Sequence, residues 1–215
     1  MTLVVLSPHL DDAVLSAGGA IAAATAAGER AVAVTLFTEG AKGDARRAED
    51  SRALALLGAE AVHLGLLDAP ERRGIPLDLK ALCDDAVVDD ADVAAVVSAL
   101  TPVLWSLQPT RVLAPLGVGR HIDHRTVFEA ARIAAPRELA FYEDRPYAFV
   151  DGATNQRLAE LGPLVARTTT FDDAVAKRVR EAVMAYETQI VFLEKSFGRA
   201  TTTGAHTETV YVRAE

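Results

Sequence analysis

Residues 2–19 read TLVVLSPHLDDAVLSAGG. TLVVLS is a short, β-branched apolar run, the signature of a strand buried on both faces. Pro8 stops it, and DAVLSAGGAIAAATAAG (12–28) follows, an Ala-rich stretch ending in glycine that reads as a helix with a glycine C-cap. The same alternation then repeats. RAVAVTLFT (30–38) predicts a second strand, EGAKGD a loop, ARRAEDSRALALLG (45–58) a second helix and AVHLGL (61–66) a third strand. A β-α-β-α-β pattern favours a parallel sheet with helices on both faces. The expected fold class is therefore α/β, a Rossmann-like, mostly parallel sheet in a single domain over residues 1–215.

The rest of the chain continues the pattern. Asp68 to Leu79, with Pro70, Gly74 and Pro76, reads as a loop, and a helix is predicted over about 91–107. TRVLAPL (110–116) is another buried strand, TVFEAARIAA (126–135) a helix stopping at Pro136, and ELAFYED (138–144) a late strand. DDAVAKRVREAVMAYETQIVFLEKS (172–196) is the longest helical pattern, and TETVYVRA (207–214) a final strand.

The 215 residues carry a formal net charge of -8, which argues against a nucleic-acid partner. Basic residues near 45–52 and 177–180 alternate with acidic or apolar ones and read as solvated helix faces. Cys83 is the sole cysteine, so neither an internal disulfide nor a CxxC metal site is available, and its apolar surroundings predict an inert buried thiol. No signal-like N-terminus and no run of about 20 apolar residues is present, which predicts a cytoplasmic protein without a membrane span. Homo-oligomerisation is left open.

Chemistry concentrates at two predicted strand ends. In open α/β sheets ligands bind outside the carboxyl ends of the strands, and SPHLDD (7–12) and LGVGRHIDH (116–124) both fall there. His9 and Asp12 are three apart at a strand-to-helix turn, so both can address one centre, with Asp11 turned aside. His121 and His124 share that spacing, and either could complete the site. Two imidazoles, a carboxylate and an open position form a recurring catalytic zinc arrangement, and a cation would relieve the repulsion between adjacent Asp11 and Asp12. The plainer alternative makes one aspartate an ordinary helix N-cap and the HxxH pair two solvent-facing histidines. His63, inside a predicted strand, reads as a satisfied core or edge histidine, and His206, after TTTGA, as part of a loop able to reach a pocket.

PHLDD followed by GG, with HIDH about a hundred residues later, resembles the zinc-dependent N-deacetylases of the PIG-L/LmbE type. RRAEDSRALALLG, FYEDRPYA and KRVREAVMAYETQ are similar to three further segments of that family. The resemblance implies that His9, Asp12 and His124 bind Zn2+ or another divalent transition metal. It makes Asp11 the general base and His121 a charged histidine that steadies the oxyanion, oriented by Asp123, and it places Arg46 at the substrate. It implies hydrolysis of a small-molecule N-acylated amine, an amino sugar or glycoside. Leu10 and Ala13 stand where the family has proline and glutamate, and GVGR before HIDH lacks the tyrosine of some members, a place left to Tyr142 or Arg120.

Two other readings compete. HID with a distant His206 fits the H-x-D…H triad of iron oxygenases, but those are built on all-β folds and would leave His9, Asp11 and Asp12 without a role. A non-catalytic doubly wound binding module would use SAGGAIAA (16–23) as a phosphate loop, yet it lacks the G-x-G-x-x-G spacing. Gly18 and Gly19 read instead as sites of close packing of helix against sheet, or of tight approach near the site.

Overall fold

The structure, a computed structural model, describes residues 1–40, 43–76, 78, 80–135, 138–198 and 206–214. In chain order the first elements are β1 (Thr2–Ser7), α1 (Asp12–Ala26), β2 (Arg30–Glu39), α2 (Gly43–Leu56), β3 (Glu60–Leu67), α3 (Ala69–Arg73), α4 (Asp90–Leu107) and β4 (Arg111–Pro115). There follow α5 (Ile122–Ala134), β5 (Leu139–Tyr142), α6 (Ala153–Glu160), β6 (Leu164–Thr170), α7 (Asp173–Val183), α8 (Glu187–Phe197) and β7 (Thr207–Arg213). The strands form one sheet in the order β3-β2-β1-β4-β5-β7-β6. β1 to β5 run parallel, and β7 is antiparallel to both β5 and β6. The order reverses between β1 and β4, the crevice where doubly wound sheets bind ligands.

Alternation along the central strands divides the core into two layers. Leu3 and Val5 of β1, with Ala31 and Ala33 of β2, pack under α1 and α7 beside Ile21, Leu54 and Val179. Val4, Leu6, Val32 and Val34 face the opposite way, against Val96 and Leu100 of α4 and Val127 and Phe128 of α5. Each such fully buried Val or Leu contributes about 1.5–3 kcal/mol. α4 is long and apolar enough to cross a bilayer, with a mean hydropathy of 1.3. Its buried Val93, Val96, Leu100 and Leu104 recur at helical spacing, and they mark it as a helix lying on the sheet.

The paired glycines of α1 serve the helix layer. A Cβ on Gly18 would stand 3.1 Å from the Val179 side chain of α7, so the close partner is a helix and not the sheet. α1 is also broken at Ala17 (φ -135°, ψ 17°). The amides of Gly19 and Ala20, left open by the break, are taken by the Glu208 carboxylate of β7 at 2.6 and 2.9 Å. A Cβ on Gly19 would meet the Phe171 ring and that same carboxylate.

Several elements differ from expectation. The long helix predicted over 172–196 is two helices, α7 and α8, separated at Met184–Tyr186. Buried groups of α2 explain the corner: Asp50 accepts the Tyr186 hydroxyl at 2.7 Å, and Glu49 accepts the amide and hydroxyl of Thr188. The loop after Asp68 contains α3, whose N-cap is the Asp68 carboxylate. α6 and β6 have no counterpart in the sequence reading. Parts of the EGAKGD and 68–79 loops, Pro136 and the TTTGA run lie outside the described residues.

Candidate metal centre

Ser7 shapes the turn after β1. Its hydroxyl donates to the His9 carbonyl at 2.7 Å and accepts the Ala13 amide at 2.9 Å. Asp11 occupies the N-cap position of α1 without capping through its side chain, and Asp12 Oδ2 accepts the His9 amide at 2.8 Å. The plain N-cap reading of the aspartate pair therefore fails, and both carboxylates remain available to the crevice. From the end of β4, Gly117 and Gly119 turn the chain in the left-handed region (φ 84° and 77°) into α5, which carries His121, Asp123 and His124.

The two turns converge. Asp12 Oδ2 lies 3.3 Å from His9 Nδ1 and 3.3 Å from His124 Nε2, and ligand atoms of all three residues fall within 4.8 Å of one another. Four ligands about 2.0–2.1 Å from a tetrahedral centre stand about 3.3 Å apart, so the spacing fits a small divalent cation. His9, His121 and Asp123 form a second such group, but the Asp123 oxygens are already engaged. Oδ2 meets the Ala69 amide and His9 Nε2, each at 3.0 Å, and Oδ1 accepts Arg72 at 2.8 Å. His124 Nδ1 is likewise held by Asp144 Oδ1 at 2.6 Å.

The charge state of these groups agrees with a cation site. Burial disfavours the His9 imidazolium, yet hydrogen bonds and charges of Asp12 and Asp123 outweigh it and lift its pKa to about 10. His124 is also shifted up, burial being outweighed by Asp12 and Asp144. Asp12 is burdened by burial but drawn down to about 2 by His124 and His9. The carboxylates around the two histidines thus favour positive charge in the crevice. Asp11 is pushed up to about 6, first by burial and then by Asp12. Arg46 approaches its Oδ2 at 3.8 Å from α2 and works against that shift, so Arg46 belongs to the same pocket and not to a purely solvated helix face.

His121 meets Asp123 through the backbone and not through the side chain. The Asp123 side chain pairs with His9; it is the backbone amide of Asp123 that donates to His121 Nδ1, at 3.2 Å. Burial, and then the charges of His9 and His124, hold the His121 pKa at about 3. With Nδ1 accepting that amide, Nε2 is the ring nitrogen left to donate into the pocket.

The pocket has a volume of about 150 Å3 and is lined by His9, Asp11, Asp12, Arg46, His121 and His124. Groups missed from the sequence complete it: Asp68 and Pro70 at α3, Tyr147, and Gln189, Phe192, Leu193 and Phe197 of α8. FYEDRPYA contained two of the missed residues, Asp144 and Tyr147, and YETQ contained Gln189. Tyr147 stacks edge-on against His124, 5.5 Å between centroids, and its ring would collide with a Cβ on Gly119. Tyr142 is a core residue bonded to the Leu6 carbonyl. Arg120 pairs with Glu160, His63 with Asp50, and His206 is exposed near Asp173. Cys83 is buried.

The chain is similar to known deacetylases. The chain is 36% identical over 162 residues to 2'-N-acetylparomamine deacetylase of Streptomyces fradiae, a match covering 66% of this chain and 56% of that protein. It thus spans little more than half the length of that relative. A deacetylase in the biosynthesis pathway of teicoplanin superposes with a TM-score of 0.83 at 25% identity, covering 100% of this chain and 99% of the other. A zinc-inhibited form of teicoplanin deacetylase gives a TM-score of 0.81 at 25% identity, covering 100% and 99%. Residues 4–135 match the family described as PIG-L: GlcNAc-PI de-N-acetylase. They include both converging turns, and on that match, across more than half of its length, the chain belongs to the PIG-L family.

Proposed function

We propose that the protein is a divalent-metal-dependent amide hydrolase that removes an acetyl or similarly small acyl group from an N-acylated amino sugar or glycoside. The convergence of His9, Asp12 and His124, with Asp11 beside them and unbound, carries the reading. The three residues would hold the ion, with zinc the preferred identity. A bound ion would supply Lewis acidity to the acyl oxygen and a water of lowered pKa.

The chain's own groups do the rest. The Asp11 carboxylate takes a proton from the attacking water as its oxygen bonds to the acyl carbon. His121 Nε2–H donates to the oxygen on which negative charge develops, an interaction worth about 2.7–4 kcal/mol for one such donor. When the C–N bond breaks, Asp11 returns its proton to the leaving nitrogen, giving a carboxylic acid and a free amine. The pocket's 150 Å3 is small beside the roughly 300–1,000 Å3 of sites that engulf a whole ligand. It therefore takes the reacting acylamide, while Arg46, Gln189 and Phe192 meet the remainder of the substrate at the mouth. The names of the paromamine and teicoplanin deacetylases support an amino sugar or glycoside as that remainder.

The oxygenase alternative loses its triad, because His206 is exposed beside Asp173 and the Asp123 oxygens hold His9 and Arg72. The direct test treats the protein with a strong chelator and screens acetylated amino sugars and acylated glycosides for release of free amine. Activity that disappears on chelation and returns with zinc is the expected result. Full activity in metal-free protein overturns the proposal, and ligand binding without turnover at any metal level favours the binding-module reading.

A further inference from the structure

We propose that Asp144 is a positioning residue that fixes the tautomer of His124. By accepting the Nδ1 proton, it keeps the Nε2 lone pair directed at Asp12 and the metal. The inference rests on the metal-site reading given above.

The geometry leaves Asp144 little freedom. The residue is fully buried. Its Oδ1 is 2.6 Å from His124 Nδ1, and its Oδ2 accepts the amides of Gly117 and Val118 at 2.7 and 2.8 Å. The left-handed conformation of Gly117 (φ 84°) helps bring those two donors onto one oxygen. With two backbone donors already directed at this carboxyl group, Asp144 serves as the acceptor, and the hydrogen on its bond to His124 is assigned to Nδ1. His9 is arranged the other way round, with Nε2 on Asp123 and Nδ1 toward Asp12. Two histidines thus present different ring nitrogens to one point, each held from behind by a buried carboxylate. Such partners set the orientation and tautomer of metal-binding imidazoles.

Asparagine at this position separates tautomer control from simple structural support. The Asn carbonyl satisfies two backbone donors if it takes the place of Oδ2, and only one ring nitrogen if it takes the place of Oδ1. The first orientation is favoured, and its NH2 then points at His124 Nδ1. That nitrogen must become the acceptor, which moves the ring proton to Nε2, the nitrogen needed for the metal. Alanine leaves the two amides unpaired and costs more stability, but places no demand on the tautomer.

The experiment measures zinc affinity by competition with a chromophoric chelator, together with urea unfolding, for the wild type, Asp144→Asn and Asp144→Ala. The expected order of stability is wild type, Asn, Ala. The expected order of zinc affinity is wild type, Ala, Asn, with losses of about 10-fold and 100-fold, the range seen when such partners are removed. A purely structural role would give both properties the same order, and Asn binding zinc as tightly as Ala, or more tightly, overturns the proposal. Should a variant fail to fold, 15N NMR of the zinc-loaded wild type decides: a proton on His124 Nδ1 supports the assignment and a proton on Nε2 refutes it. A wild type that binds no zinc would instead count against the metal-site reading itself.

Discussion

Replacing Glu208 with glutamine should remove a loss of stability that the native chain suffers as the pH rises toward neutrality. Glu208 reaches from β7 to the break in α1 and accepts the amides of Gly19 and Ala20. Burial outweighs those two bonds and the charge of Arg145, and its pKa rises from 4.5 to about 7. Because the folded chain holds this proton more tightly than the unfolded chain, the contribution to stability is fully present below 4.5. It is lost as the pH climbs through about 7. That interval converts to roughly 3 kcal/mol at 1.36 kcal/mol per pH unit. The assay is urea unfolding of wild type and Glu208→Gln across this range, read as the difference between the two proteins so that groups common to both cancel. Glutamine turns an NH2 toward one of the amides, at a pH-independent cost of about 1–3 kcal/mol. The wild-type advantage should therefore shrink by about 3 kcal/mol from the acidic to the neutral end. A difference that stays flat, or grows with pH, would mean that the helix amides stabilise the carboxylate more than burial penalises it.

Two further outcomes test the site. Asp11→Asn should keep its metal and lose turnover by about 10²–10⁴-fold, the contribution of a general base, as read by metal analysis beside the deacylation assay; metal lost along with activity would make Asp11 a ligand. Gly119→Ala drives a Cβ into the ring and Cβ of Tyr147 at φ +77°. It should cost roughly 2–4 kcal/mol in urea unfolding, and a change below about 0.5 kcal/mol, typical of an ordinary surface substitution, would show that Tyr147 moves away freely.

Much of the frame was legible because strands buried on both faces must be continuous apolar runs, and β1, β2 and β4 are such runs. Helix ends were legible where glycine takes a left-handed conformation, as at Gly28 and Gly58. β6 escaped notice because it is an exposed strand with little apolar periodicity. The corner between α7 and α8 was invisible because residues 172–196 favour helix throughout. The break is made by Asp50 and Glu49, 136 and 139 residues away. That corner also places α8 over the pocket, so Phe192, Leu193 and Phe197 could not be assigned from spacing.

By itself, the sequence determined that histidines and aspartates would gather past the ends of two strands of a parallel sheet, since hydrophobic period and strand-end position are local properties. Only the tertiary structure decided which nitrogen each histidine offers and which carboxylate holds it: His9 to Asp123 across 114 residues, and His124 to Asp144 across 20. Hydrogen-bond partners in a buried site are selected by distance and direction after the layers have packed, and neither is encoded in the spacing of the motif that supplies the ring.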